Sequence, residues 1–332
     1  MAERVLLTGA AGFIGSHVAE ALIARGDAVV GIDSFDDFYP AAVKRENVEE
    51  VSASPRFTLV EGDIRDGAAM RRAIAEWKPA VVVHLAARAG VRPSIADPAL
   101  YADVNVNGTA ALLQAARAGG VTRFVFGSSS SVYGDRTEVP FREEDPAIRP
   151  ISPYAATKRA GELLCEAFAA FEPSMRIISL RFFTVYGPRQ RPDLAIHTFT
   201  RLLEAGQPLP VFGDGGAQRD FTYVSDIVQG VVAAIDRTRA VPLHHEIINL
   251  GESATTSVSE LIHLLERATG RTASVDRRPA QPGDVRRTCA DVSRARALLG
   301  YAPAVPVRDG IPKFVEWFRR HAAGATAPGG AR

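Results

Sequence analysis

Cysteine is scarce in this chain of 332 residues, which holds only Cys165 and Cys289. The two lie far apart without metal-ligand spacing, so no metal site is predicted and a reducing cytoplasm suits the chain. An excess of either charge is also missing. With 39 basic against 38 acidic residues, nothing marks a nucleic-acid or acidic-membrane partner. No apolar run approaches the roughly 18 residues of a membrane span. The start, Met-Ala-Glu-Arg, passes straight into a short apolar strand without a signal-peptide h-region. Lysine is rare too, present only at 44, 78, 158 and 313. What remains is an ordinary globular composition, 46% hydrophobic and 23% charged, with length for one large or two modest domains.

Residues Arg4 to Thr8 are too few for a helix and read as a buried strand. Gly9, Gly12 and Gly15 follow, then a helix to Arg25 in which Ile14, Val18, Leu22 and Ile23 share a face and Gly26 ends the run. A second strand over 28–32 finishes at Asp33. Strand, glycine turn, helix, strand and acid in this order predict a dinucleotide site. The glycines permit a tight turn, and the helix N-terminus receives a pyrophosphate. Asp33 would accept from ribose hydroxyls and repel a 2′-phosphate, which favours NAD over NADP. Further strands at 57–61, 80–85 and 123–126 alternate with helices, one of them over about 99–118. The pattern implies an α/β, Rossmann-like, doubly wound parallel sheet. Gly9, Asp33, Asp63, Ala86 and Ser128 all fall at strand C-terminal ends, where such sheets bind ligands.

Tyr154 and Lys158 stand four apart at the start of a helix and share one face. A neighbouring ammonium favours the phenolate, so the pair can act as a general base. By spacing alone such pairs are common and carry little. The serines at 128–131 read first as turn and cap chemistry. On this rim a serine hydroxyl can also reach an alcohol or carbonyl oxygen beside Tyr154. Ser, Tyr and Lys beside a nicotinamide make a hydride-transfer site.

Together these residues resemble the extended short-chain dehydrogenases/reductases, within them the NAD-dependent nucleotide-sugar epimerases and dehydratases. The similarity spans about residues 4–320. It rests on the Gly9/Gly12/Gly15 spacing, Gly62-Asp63-Ile64, His84-Leu-Ala-Ala87, Asn105-Val-Asn-Gly-Thr109, Ser131-Val-Tyr-Gly134 and Tyr154-x-x-x-Lys158. The resemblance implies that Ser129, Tyr154 and Lys158 are catalytic, with Lys158 bridging the nicotinamide ribose and depressing the Tyr154 pKa. It implies cofactor contacts from Gly9, Gly12, Phe13, Ile14, Gly15 and Asp33. Asp63 and Ile64 would hold the adenine, Leu85, Ala86, Ala87 and Phe182 the nicotinamide side, and Arg88 the phosphates, with Asn105 in the same set. A UDP-sugar would meet Ser129, Ser130 and Thr184, with the backbone near Val211 and Phe212 at the uracil, Arg219 at the diphosphate and Asp284 at the uridine ribose.

Within the group, His84–Ser94 and Arg181–Asp193 look most like UDP-glucuronate 4-epimerase segments. Ser131 stands where related decarboxylases carry Glu, and Thr184 where UDP-glucose 4-epimerases usually carry Asn. Arg189 or Arg191 could bind a carboxylate bidentately, with Arg189 preferred; surface or phosphate contact is the other use of such arginines. The implied activity interconverts UDP-glucuronate and UDP-galacturonate through a 4-keto intermediate. A 4-epimerase of neutral UDP-sugars is the alternative, and a decarboxylase is disfavoured by Ser131. The expected organisation is an NAD-binding domain over 1–180 with return segments near 220–255, an interleaved substrate domain over 181–320, and a disordered tail over 321–332. The resemblance also implies a homodimer built on the Tyr154 helix and its neighbour.

Overall fold

The computed structural model describes residues 2–240, 244–279 and 285–325, with side chains to residue 321. The first half alternates strands and helices: β1 (Arg4–Thr8), α1 (Phe13–Arg25), β2 (Ala28–Asp33), α2 (Ala41–Asn47), α3 (Glu49–Ser52), β3 (Phe57–Glu61), α4 (Gly67–Trp77) and β4 (Val81–His84). Then come α5 (Val91–Ala96), α6 (Pro98–Ala102), α7 (Gly108–Ala118), β5 (Arg123–Ser129), α8 (Pro153–Phe171) and β6 (Arg176–Phe182). These strands join in the order β3-β2-β1-β4-β5-β6, every pair parallel. The order reverses between β1 and β4, the switch point where doubly wound sheets bind ligands.

Both faces of the sheet are covered, which is why its central strands β1 and β4 are mainly apolar. Val5 and Leu7 pack toward α1, beside Val18 and Leu22. Leu6 packs the other way, toward Ile74 of α4, Leu112 of α7 and Phe168 of α8.

The second half is less regular: β7 (Thr184–Tyr186), α9 (Ala195–Glu204), β8 (Leu209–Phe212), β9 (Gln218–Arg219), β10 (Phe221–Tyr223), α10 (Val224–Arg237), β11 (His245–Leu250), β12 (Thr256–Ser257), α11 (Val258–Thr269), β13 (Val275–Arg278), α12 (Ser293–Leu299) and α13 (Val307–Ala325). Strand β11 returns to the main sheet as its seventh member, parallel to β6. The other short strands form three pairs, β7 with β10, β8 with β13 and β9 with β12. Pro210 is tolerated in β8 because that strand pairs with β13 alone. Helix α11 starts on a capping box, Ser257 with Glu260.

Two local expectations change. The helix expected over 99–118 is interrupted by a π-helical turn at Asp103–Asn107. Helix α13 continues through Ala325, so residues 321–325 are helical, and the rest of the expected tail, 326–332, lies outside the described residues. No described helix is long and apolar enough to cross a membrane.

Candidate active site

A cavity of about 600 Å³ opens along the C-terminal ends of the strands. At one end lies the turn from β1 into α1. Gly9 has φ +70°, and a Cβ on Gly15 would sit 1.9 Å from the Gly9 carbonyl oxygen. These two glycines therefore make the turn itself. Gly12 faces the cavity and caps α1, which has no side-chain cap and no acid in its first turn. The positive end of the helix is left for an anion.

Asp33 lines the same end and also builds it. Its Oδ2 accepts from Ala11 N at 3.0 Å and its Oδ1 from Phe35 N at 2.9 Å. Burial raises its pKa, against these two backbone donors. Phe13, Ile14, Ile64, Leu85, Ala86, Ala87 and Phe182 line the cavity as well. Asp63 does so with its carboxylate already gripped by Arg65, which holds its pKa down. Arg88 lines the middle, donates to Asp36 Oδ2 at 2.7 Å and stacks on Phe38.

Helix α8 starts on a cap in which Ser152 accepts from Ala155 N, with Pro153 in its first turn. That start places Tyr154 on the cavity wall and Lys158 one turn deeper. A Cβ at Gly161 would come within 2.4 Å of the Phe126 ring, so glycine there lets α8 lie against β5. Lys158 Nζ consequently reaches the Gly127 carbonyl at 2.7 Å. Burial lowers the Lys158 pKa to about 8. Tyr154 is raised overall by desolvation, and what opposes that rise is a Ser129 hydrogen bond and the Arg191 charge. The sequence assigned that influence to Lys158, whose ammonium is instead turned to Gly127. Ser131 Oγ donates to Ser129 Oγ at 2.8 Å, as does Ser131 N at 3.2 Å, leaving the Ser129 hydrogen for Tyr154.

Behind this wall runs a continuous relay. Ala86 N donates to Thr8 Oγ1, which donates to His84 Nδ1 at 2.7 Å. His84 Nε2 faces Thr109 Oγ1 at 3.0 Å, and Thr109 donates to the Asn105 carbonyl. Burial drives the His84 pKa down to about 3, so the ring is neutral and its Nε2–H is the donor. Asn105 accepts from Arg88 N and donates to Arg88 O and Thr157 Oγ1. Thr157 donates to the Tyr154 carbonyl. Asn105, expected among the cofactor ligands, is thus buried and spent on holding the Arg88 backbone and α8. A second buried cluster, missed on sequence, joins Glu162 to Arg181 by two hydrogen bonds and to Ser128 at 2.7 Å. The glutamate was visible one turn after Lys158, but its partners come from β5 and β6.

On the substrate side, Ser129, Ser130, Thr184, Arg191 and Arg219 line the cavity. Arg191 donates from Nε and Nη2 to Asp193 and stacks on Phe38. Arg189, preferred on sequence as the carboxylate ligand, is turned away toward α1, where it pairs with Glu20. Its φ is positive at 65°, and its side chain leaves the loop toward Glu20 while Arg191 lines the cavity. Val211 is buried in the core and Phe212 lies under Arg92, and neither is on the cavity wall. Asp284 lies outside the described residues. No cluster of three metal-ligating side chains occurs among the described residues.

A family model described as GDP-mannose 4,6 dehydratase matches residues 6–314. The chain belongs to the nucleotide-sugar epimerase and dehydratase family of extended short-chain dehydrogenases/reductases. One member of this family, a UDP-glucuronate 4-epimerase of Thermodesulfobacterium geofontis, is 38% identical over 95% of this chain and 96% of its own length. The crystal structure of UDP-glucuronic acid 4-epimerase from Bacillus cereus, in complex with UDP-glucuronic acid and NAD, superposes with a TM-score of 0.90 at 38% identity, covering 96% of this chain and 99% of that one. UDP-glucose 4-epimerase from Thermotoga maritima follows with a TM-score of 0.87 at 34% identity, over 96% and 99%. Backbone shape is therefore shared by family members for acidic and neutral sugars, and the choice between them lies in side chains. The residues present fit a dinucleotide: an uncapped helix end beside Gly12, an acid at the end of β2, and an apolar wall of Ile64, Leu85 and Ala86.

Proposed function

We propose that this protein is an NAD-dependent UDP-glucuronate 4-epimerase. The single observation that carries the choice of sugar is Arg191, a guanidinium that lines the same cavity as Tyr154 and Ser129 and whose charge acts on Tyr154. Its Nε edge is taken by Asp193 and its face by Phe38, which leaves the Nη1 end for a substrate carboxylate. Gly12, Phe13, Ile14, Asp33, Asp63, Ile64 and Arg88 would hold NAD, with Leu85 to Ala87 and Phe182 toward its nicotinamide. NAD, when bound there, would supply the redox chemistry, a reversible hydride transfer at C4 of the sugar.

Tyr154 takes the 4-hydroxyl proton and later gives it back, so its ionisation must be reachable near neutral pH. The Ser129 hydrogen bond and the Arg191 charge both favour that ionisation. Once Tyr154 holds the proton, the Ser129 hydrogen is released from the phenolate and would donate to the C4 carbonyl oxygen. The 4-keto acid is prone to lose CO₂. Arg191 opposes this by fixing the carboxylate, and Ser131 adds no carboxyl group beside the reacting centre. Thr184 and Arg219 would meet the sugar and diphosphate.

Purified protein offered UDP-glucuronate and UDP-glucose separately tests the choice of sugar. Turnover of UDP-glucuronate to UDP-galacturonate is expected; turnover of UDP-glucose alone selects the neutral-sugar reading. We further place the protein in the cytoplasm as a homodimer, with residues 1–180 and their return segments as its cofactor lobe. Exposed Leu163 and Phe171 on α8 supply apolar surface for a second copy. Light scattering that finds a monomer would remove that proposal.

A further inference from the structure

The loop after β7 presents two arginines in opposite directions. Arg191 faces the cavity, while Arg189, two residues earlier, faces the outside of α1. Three contacts tie the outer side of this loop to one helix. His17 Nε2 lies 3.0 Å from the Pro188 carbonyl, Arg189 Nη2 donates to Glu20, and Arg189 Nη1 reaches Ser16 Oγ at 3.4 Å. Ser16 in turn donates to the Phe13 carbonyl, and its own N–H bonds Gly12 O. The tie therefore ends in the first turn of α1, next to the glycine that faces the cavity.

The backbone conformation makes this arrangement notable. Arg189 holds φ at 65°, a left-handed conformation that a non-glycine side chain adopts at a cost. Nothing in the turn gains from an arginine there, since glycine would take that φ without strain. What the arginine adds is its pair with Glu20.

We infer that Arg189 is a positioning residue: by clamping the loop to α1 through Glu20 and Ser16, it fixes the Arg191 guanidinium at the substrate carboxylate. The inference rests on Arg191 being the carboxylate ligand. It assigns selectivity for an acidic sugar to a residue that touches no substrate. A guanidinium displaced by a fraction of an ångström still lines the cavity but loses the geometry a bidentate carboxylate requires.

Arg189→Gly removes the clamp and suits the local φ, so folding is not at risk. Calorimetric Kd values for UDP-glucuronate and UDP-glucose should then separate: on the order of tenfold weaker for the acidic sugar and within about twofold for the neutral one. Glu20→Gln should reproduce the effect in part, the double variant should be no worse than Arg189→Gly, and Arg189→Lys should recover part of the selectivity. Unchanged affinities, or equal losses for both nucleotides, would overturn the inference. A wild-type protein with no preference for UDP-glucuronate and no UDP-galacturonate product would overturn the functional reading itself. That outcome is visible before any variant is made.

Discussion

Asn105 Nδ2 donates to Thr157 Oγ1 at 3.0 Å, and Thr157 Oγ1 donates onward to the Tyr154 carbonyl. Because Asn105 also bonds the Arg88 N–H and carbonyl, the loop after β4 and the first turn of α8 are held through it as one piece. The π-helical turn at Asp103–Asn107 contains Asn105, and such turns cluster at functional sites.

Thr157→Val removes both ends of that connection at nearly constant volume. Stability should fall by about 1–3 kcal/mol, the cost of leaving a buried polar group underbonded. Turnover should fall with little change in KM, because Tyr154 loses its anchor and the substrate loses no contact. Thermal unfolding and steady-state kinetics on one preparation check both parts.

Tyr154→Phe deletes the hydroxyl that Ser129 faces. Turnover should drop by about 10²–10⁴-fold or more, while bound NAD, read by absorbance after denaturation, should stay at the wild-type level. Activity near wild type would remove Tyr154 as the base.

Much of this architecture was legible beforehand. Strands buried on both faces carry continuous apolar runs, so β1, β4 and β5 could be read from Leu6, Val82 and Phe124 and their neighbours. Short-range chemistry was legible as well: the Gly9 turn lies within a few residues of chain. What escaped were contacts between distant elements. No local pattern tells that Asn105 closes on Thr157, or that Glu162 meets Arg181 from β6. The direction of Arg189 was hidden for the same reason, since its partner Glu20 lies 169 residues earlier in the chain.

Arg191→Gln removes a positive charge that favours the Tyr154 phenolate. The Tyr154 pKa should rise, so the activity limb that requires its ionised form should move to higher pH. KM for UDP-glucuronate should rise in the same variant. A pH–rate profile that stays in place would separate Arg191 from the base.

Glu252 lies beside Asp220 and Asp226, and burial with these neighbours raises its pKa from 4.5 to about 7. A raised carboxyl keeps its proton in the folded state where the unfolded chain has lost it. Its destabilising effect is absent below about pH 4.5, grows between there and about pH 7, and is full above. Glu252→Gln should flatten the decline in melting temperature across that window. An unaltered slope would place the effect on another group, Asp220 first, whose pKa burial raises to about 6.

The most direct measurement follows UDP-glucuronate by proton NMR in deuterium oxide. The account predicts UDP-galacturonate that keeps its hydrogen at C4, because that hydrogen leaves and returns without meeting solvent. Deuterium at C4, or a UDP-pentose formed with release of CO₂ as the main product, would contradict it.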